Sequence, residues 1–403
     1  MKTTFFINNR RKILGKAGCD IVILAANNRM QRNGDNTFAF RQDSNFWYFC
    51  GVNEPDYVLV FSSTSSFLIA PKRSDIEIFF DGQLSNSQLK KVSGVDDVYD
   101  NDVGWELLTQ MLNAANYVGH ISPVVRKNVD FVPNDARFRL RKKIKQHMAP
   151  KARLRTINAV IAQSRMIKQP EELTQLKKAI RITTEAFHEF LKQKSLKNYK
   201  FEYEIEADFN KFFARKNSVH AYTPIVGSGK RSCTLHYNKN DHVIKNGELI
   251  LVDIGAEVNN YAADITRTVV MGKATIRQLQ VIGAVKKIQS FALSQIKPGM
   301  TLLQSEQNVA EFTGSVLIEL GLIESATKEA IRKYSPHATS HFLGLDVHDV
   351  GDYRAPLKPN MVITVEPGIY IPEEKIGVRI EDDVLITKNG CKVLSSSLPA
   401  VLE

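Results

Sequence analysis

Residues 337 to 351, HATSHFLGLDVHDVG, place His337, His341, His348, Asp346 and Asp349 in one short run, in a chain with only nine histidines. Imidazoles and carboxylates at this density can ligate a metal, exchange protons, or simply form a polar loop. A helical zinc-protease motif is excluded: His337 and His341 enclose Ala-Thr-Ser, so the glutamate of H-E-x-x-H is missing. A phosphate-binding loop is excluded as well, since VGSGKRS (226–232) would need Gly at Pro224 and Ser or Thr at Arg231. A single histidine is ordinarily structural. Three of them, beside Gly344 and Gly351 that allow close backbone approach, point to an active site.

Carboxylates on apolar segments supply the complement. In LILVDIGAEVNNYAADITRTVV (249–270) two apolar arms flank a polar turn near Val258-Asn259, and folding there is expected to set Asp253 opposite Asp264. Directly opposed like charges, roughly 4.5–5.5 Å apart, repel. The pair is either two turn-flanking aspartates in solvent or a clamp on something positive; their Ile, Val and Ala neighbours make an unpaired charge costly. MVITVEPGIYIP (361–372) reads as a strand ending in Pro-Gly with Glu366 at its end. IGVRIEDDVLIT (376–387) reads as another, with Arg379 and Glu381 on one face. Each glutamate alone could be a capping or salt-bridged residue. Together with the aspartates and one histidine they make an oxygen-rich set that suits a pair of Mn²⁺, Co²⁺ or Fe²⁺ ions better than structural zinc.

The elements that must carry these groups fall into two domains, because 403 residues exceed the size at which one core stops growing. Short β-rich runs such as DIVILAA (20–26), YVLVFSS (57–63) and SFLIA (66–70) alternate with helical stretches, a mixed α/β pattern. At Pro170 a long helix starts, with Glu171 and Glu172 at its positive end and a stripe of Leu173, Leu176, Ile180, Phe187 and Phe190. Two helices (170–193, 202–216) then lead to strands up to 271, and two more (275–297, 302–320) lead to strands again. The expected fold class is α+β: domain 1–168 is mixed α/β, and domain 169–403 holds the chemistry in two pseudo-symmetric halves.

Charge and cysteines narrow the setting. The net charge of +11 is almost wholly N-terminal: residues 1–169 carry 25 Lys and Arg against 15 Asp and Glu, residues 170–403 carry 29 against 28. The densest stretch, RFRLRKKIKQHMAPKARLR (137–155), interleaves Phe138, Leu140 and Ile144 as a solvated helix or exposed strand would, with no nucleic-acid recognition motif beside it. No nucleic-acid partner is expected. Cys19, Cys50, Cys233 and Cys391 are too scattered for a disulfide framework, and no stretch reads as a signal peptide or membrane span. A cytoplasmic, unexported protein without a membrane partner is expected.

Motifs across nearly the whole chain are similar to those of the Xaa-Pro aminopeptidases (aminopeptidase P). These are "pita-bread" dinuclear metallopeptidases, the group that also holds prolidase, methionine aminopeptidase and metal-free creatinase. FAFRQDSNFWYFCGVNEPDYVLVF (38–61) resembles the YRQ, FWY and EP pattern of their N-terminal domain, and IVGSGKRSCTLHYN, LVDIGAEVNNYAADITRT, SHFLGLDVHDVG, TVEPGIY and GVRIEDD follow in family order. The resemblance implies a creatinase-like N-terminal domain and a pita-bread catalytic domain. It implies two divalent ions, manganese foremost, on Asp253, Asp264, His341, Glu366 and Glu381, with Asp264 and Glu381 bridging. A hydroxide shared by the ions would attack the first peptide bond of substrates with proline second. Glu366 would shuttle the proton, His348 would stabilise the oxyanion, His236 and His337 would line the substrate pocket, and Arg379 would orient ligand carboxylates. A dimer or tetramer is implied too. The family segment between the two glutamate motifs is often longer than PEEKIGVRI, and FFDG (79–82) lacks a tryptophan typical of the bacterial enzymes. A prolidase-like dipeptidase shares the ligands. A non-catalytic pita-bread binding protein would have lost some of them.

Overall fold

The computed structural model describes residues 1–123, 134–192 and 199–401, and the chain divides into two compact units, 1–164 and 165–403. Residue 193, the end of the helix expected over 170–193, lies outside the described residues.

In the first unit the aliphatic runs form one six-stranded sheet. Its strands are β1 (Ile21–Ala25), β2 (Val58–Ser62), β3 (Ser66–Ile69), β4 (Asp97–Tyr99), β5 (Tyr117–His120) and β6 (Arg153–Thr156), in the order β4-β3-β2-β1-β5-β6. β1 pairs antiparallel with β2 and parallel with β5, so local hairpins and longer crossovers share one sheet. Helix α1 (Thr3–Ala17) precedes it, and α2 (Ser44–Cys50) has every residue buried. Asp43 caps α2 by accepting the backbone N–H groups of Asn45 and Phe46, each at 2.9 Å. The short helix α3 (Asp75–Asp81) buries none of its residues and leaves Phe79 and Phe80 87% and 79% exposed. The basic run becomes helix α4 (Ala136–His147), which buries Leu140 and Ile144 and lays Lys143 Nζ 3.6 Å from the centre of the Trp105 ring.

In the second unit, α5 (Pro170–Lys192) begins at the proline, whose missing N–H costs nothing in the first turn, and it buries Leu176, Ile180, Phe187 and Phe190. With α6 (Glu202–Arg215) this stripe packs on the strands of the first half, burying Phe209 and Phe213 beside Val226, Val252 and Ile254. Burying each such side chain contributes roughly 1.5–3 kcal/mol. Those strands are β7 (Val219–His220), β8 (Ile225–Ser228), β9 (Leu249–Ile254), β10 (Ala256–Val258), β11 (Tyr261–Ala262) and β12 (Ile265–Val270), in two three-stranded sheets, β8-β9-β12 and β11-β10-β7. The second half repeats the plan. Capping boxes at Thr275 and Thr301 start α7 (Ile276–Gln295) and α8 (Leu302–Glu319), each cap worth about 1 kcal/mol. Helix α9 (Lys328–Tyr334), absent from the sequence-based expectation, follows from a Thr327 cap. Strands β13 (Val362–Val365), β14 (Gly368–Ile371), β15 (Ile376–Arg379), β16 (Asp382–Ile386) and β17 (Cys391–Val393) complete the unit as β13-β16-β17 and β14-β15. The α+β class with two helix-then-strand halves is the one expected.

Two local expectations are corrected. Asp253 faces Thr266, not Asp264, because the hairpin turns at Asn259-Asn260, one residue beyond the expected place, and Val258 pairs with Tyr261. Both asparagines take left-handed φ, 48° and 66°, which their short polar side chains tolerate. Residues 376–387 are two strands, because the chain changes partner at Ile380-Glu381, whereas the strand expected to end in Pro-Gly does so, with Glu366 directly after β13 and β14 beginning beyond Pro367.

Candidate metal centre

Asp253 and Thr266 are opposed on β9 and β12, and Asp264 lies two residues before Thr266, so the pleat puts all three on one face. The aspartates are diagonal neighbours. What closes the gap is Tyr222, whose hydroxyl lies 2.6 Å from Asp253 Oδ1 and 2.7 Å from Asp264 Oδ1. One hydroxyl proton can satisfy only one of two carboxylates. The close approach needs Gly255: a Cβ there would stand 1.7 Å from the Ala263 carbonyl oxygen and 3.0 Å from the Tyr222 ring.

The second half brings the other groups to this face. Arg379, at the end of β15, donates from Nη2 to Asp253 Oδ2, from Nε to Thr266 Oγ1 at 3.0 Å, and from Nη1 to the Tyr370 hydroxyl at 3.0 Å. The Thr266 hydroxyl in turn donates a hydrogen bond to Glu381 Oε2 at 2.7 Å. His341 lies in a segment held to β13: its N–H reaches Thr364 Oγ1 at 3.1 Å, and its carbonyl accepts the Thr364 N–H at 2.9 Å. Nδ1 of His341 lies 3.0 Å from the Phe342 carbonyl, which leaves Nε2 facing Asp264 Oδ2 at 3.3 Å and Glu366 Oε1 at 3.4 Å. Ligand atoms of Asp264, His341 and Glu381 all lie within 4.8 Å of one another.

Electrostatics show what the cluster wants. Burial first, then Asp264, Glu366 and Asp253, push the Glu381 carboxyl well above its usual range. Burial also raises Asp253, opposed by Arg379 and reinforced by Asp264. It takes Glu366 to about 7, against the pull of His341. Burial would lower His341, but Asp264 and Glu366 raise it to about 9. Four carboxylates thus converge with one guanidinium and one imidazole to answer them. Divalent cations fit this donor set, hard oxygens with a single imidazole, and would let every carboxylate ionise.

The remaining sequence candidates surround the cluster. The His348 ring stands edge-on to His341 with centroids 4.4 Å apart, and it is exposed. His337 is half-buried; its Nε2 meets the Tyr370 hydroxyl at 2.8 Å, and Nδ1 lies 3.6 Å from Glu366 Oε2. Burial, then Arg379, lower its pKa to about 4, so it is neutral at ordinary pH. His236 is exposed and lies among the groups that act electrostatically on His337. Asp346 and Asp349, from the opening motif, turn away from the carboxylates and pair with Arg165. The hydroxyls of Tyr222, Thr266, Thr364 and Tyr370 were missed by sequence reasoning. Only Thr266 had a readable signal, its i+2 spacing from Asp264 on one strand face.

Three comparisons bear on the site. Residues 174–388 match the family described as "Metallopeptidase family M24", and residues 6–119 match "Aminopeptidase P, N-terminal domain". The chain is 36% identical to the Xaa-Pro aminopeptidase of Escherichia coli over 393 residues, 91% of this chain and 88% of that one. It is 34% identical to Xaa-Pro aminopeptidase 3 of Rattus norvegicus over 96% of this chain and 80% of that one. The solved structure of E. coli aminopeptidase P with the inhibitor Pro-Leu superposes with a TM-score of 0.87 at 31% identity, covering 99% of this chain and 96% of that one.

Proposed function

The chain belongs to metallopeptidase family M24, and on that premise we propose that it releases the N-terminal residue of peptides with proline second, using two divalent ions on Asp253, Asp264, His341, Glu366 and Glu381. It is a hydrolase and a metallo-aminopeptidase. The observation that carries the reading is the crowding of Asp264, His341 and Glu381 ligand atoms within 4.8 Å, with Asp253 and Glu366 drawn to the same face.

When bound, the ions would make water nucleophilic near neutral pH and polarise the scissile carbonyl. Asp264 and Glu381, whose ligand atoms lie within 4.8 Å of each other and of His341, would hold the ions most closely. Glu366, whose Oε1 lies 3.4 Å from His341 Nε2, is placed to take a proton and return it to the leaving nitrogen. His348, exposed and edge-on to His341, would donate to the carbonyl oxygen as charge develops there; losing such a donor costs ~10²–10³-fold in rate. His236 and His337 would line the peptide's path, the latter held by Tyr370. Arg379 would keep Asp253 ionised and aimed. Manganese is the expected ion, because the donors are mostly carboxylate oxygens. The exposed Phe79 and Phe80 support self-association into a dimer or tetramer, and four free cysteines support a cytoplasmic setting. Among the described residues no helix is long and apolar enough to cross a membrane.

The test is hydrolysis of an Xaa-Pro-Yaa tripeptide beside the Xaa-Pro dipeptide, with EDTA and with Mn²⁺. Release of Xaa from the tripeptide only with metal is expected. Cleavage confined to the dipeptide would make the chain a prolidase-like dipeptidase, and equal cleavage of Xaa-Ala peptides would overturn the proline requirement.

A further inference from the structure

A buried cluster of charges centred on Asp349 lies beside, and apart from, the proposed metal ligands. Arg165, Lys168 and Asp349 each have side chains only 1% exposed. Asp349 Oδ1 takes a hydrogen bond from Arg165 Nη2, and its Oδ2 takes one from Lys168 Nζ at 2.7 Å. The same Arg165 nitrogen also reaches Asp346 Oδ2 at 2.9 Å. Burial alone would lower the pKa of Arg165, but Asp349 and Asp346 raise it, so it stays a cation. Asp346 and Asp349 flank His348 in a segment with neither helix nor strand. Two backbone bonds fold that segment, Gly344 N–H to Asp346 O at 3.1 Å and Asp349 N–H to Phe342 O at 2.8 Å. Gly344 leaves room for the clamp, since a Cβ there would stand 2.1 Å from Asp349 Oδ2 and 2.7 Å from Lys168 Nζ.

We infer that Arg165 and Lys168, acting through Asp349 and Asp346, are positioning residues that hold His348 over the reacting carbonyl. Residues 344–348 belong to no strand, and a guanidinium bonded on either side of His348 limits how that bend can move. A buried carboxylate gripped by two cations is also an arrangement that well-packed apolar groups can often replace at no cost in stability. The inference rests on the proposed role of His348.

The experiment measures kcat and KM for an Xaa-Pro-Yaa peptide, with metal content, in Arg165→Lys, Asp346→Asn, His348→Ala and each of the first two combined with His348→Ala. Arg165→Lys keeps the charge but loses the planar guanidinium whose fixed Nη2 serves both carboxylates. Asp346→Asn alters a half-exposed group and guards against Arg165→Lys failing to fold. Either single variant is expected to lower kcat by ~10- to 100-fold with KM and metal content little changed, and to add nothing in the His348→Ala background. Additive losses beside an impaired His348→Ala would overturn the clamp alone. Wild-type kcat in His348→Ala would overturn the role of His348, and the clamp with it.

Discussion

His220 sits two residues before the tyrosine that bridges the aspartates, and it behaves as the opposite kind of group. Both its ring nitrogens are buried without a hydrogen-bond partner, and the ring stands edge-on to Phe213 at 4.7 Å between centroids. Burial lowers its pKa to about 4. The folded state therefore holds it neutral, while the unfolded chain takes the proton near pH 6.5. Its contribution is fully present above pH 6.5 and is lost as pH falls towards 4, below which the loss levels off. Allowing for its partial exposure, that amounts to about 2–3 kcal/mol. In EDTA, so that metal release does not confuse the result, His220→Leu should flatten the fall in melting temperature between pH 7 and pH 4.5. An acid limb as steep as wild type would assign the loss to other groups.

Among the elements, the hairpin β9 to β12 decides whether two acids can share a site, and its decisive residue carries no side chain. Gly255→Ala should force the arms apart at the Ala263 carbonyl, destabilising the metal-free protein by about 1–3 kcal/mol. It should also weaken metal binding, because Tyr222 and Asp264 move with that arm. Gly283→Ala in α7 is the control: nothing lies within 4 Å of its Cβ position, and alanine there should stabilise by about 0.5–1 kcal/mol. Denaturant unfolding and metal titration of both variants separate strain from a general effect of the substitution. The same hairpin shows how far sequence could be read. The long helix α5 was legible because its start and its apolar stripe are local, at Pro170 and over Leu176, Ile180, Phe187 and Phe190, whereas the seven-residue α9 is too short to show a stripe. The acids and histidines were legible because charges are rare on apolar segments. Register was not, since a turn displaced from Val258-Asn259 to Asn259-Asn260 leaves the pattern of apolar arms unchanged yet makes Thr266 the partner of Asp253. Tyr222 and Tyr370 were hidden because nothing in a lone tyrosine tells which distant carboxylate or guanidinium it will meet.

On the scale of the whole molecule, all five proposed ligands belong to the unit 165–403, so removing metal should loosen that unit selectively. Adding EDTA to the holoenzyme is expected to raise amide deuterium uptake in 249–270 and 376–386, with uptake in β1 and β2 unchanged. A metal at a hundredfold its dissociation constant stabilises by about 2.7 kcal/mol, which sets the size of the protection. Uniform loosening of both units would place the metal's influence elsewhere. Two of the bonds that join the two halves, Thr266 to Glu381 and Arg379 to Asp253, link residues 115 and 126 apart along the chain. Such long loops close slowly, and no ion can be gripped until they have closed. The ion should accordingly arrive after the rate-limiting step: Mn²⁺ in a stopped-flow refolding buffer should leave the folding limb of the chevron unmoved and slow only the unfolding limb.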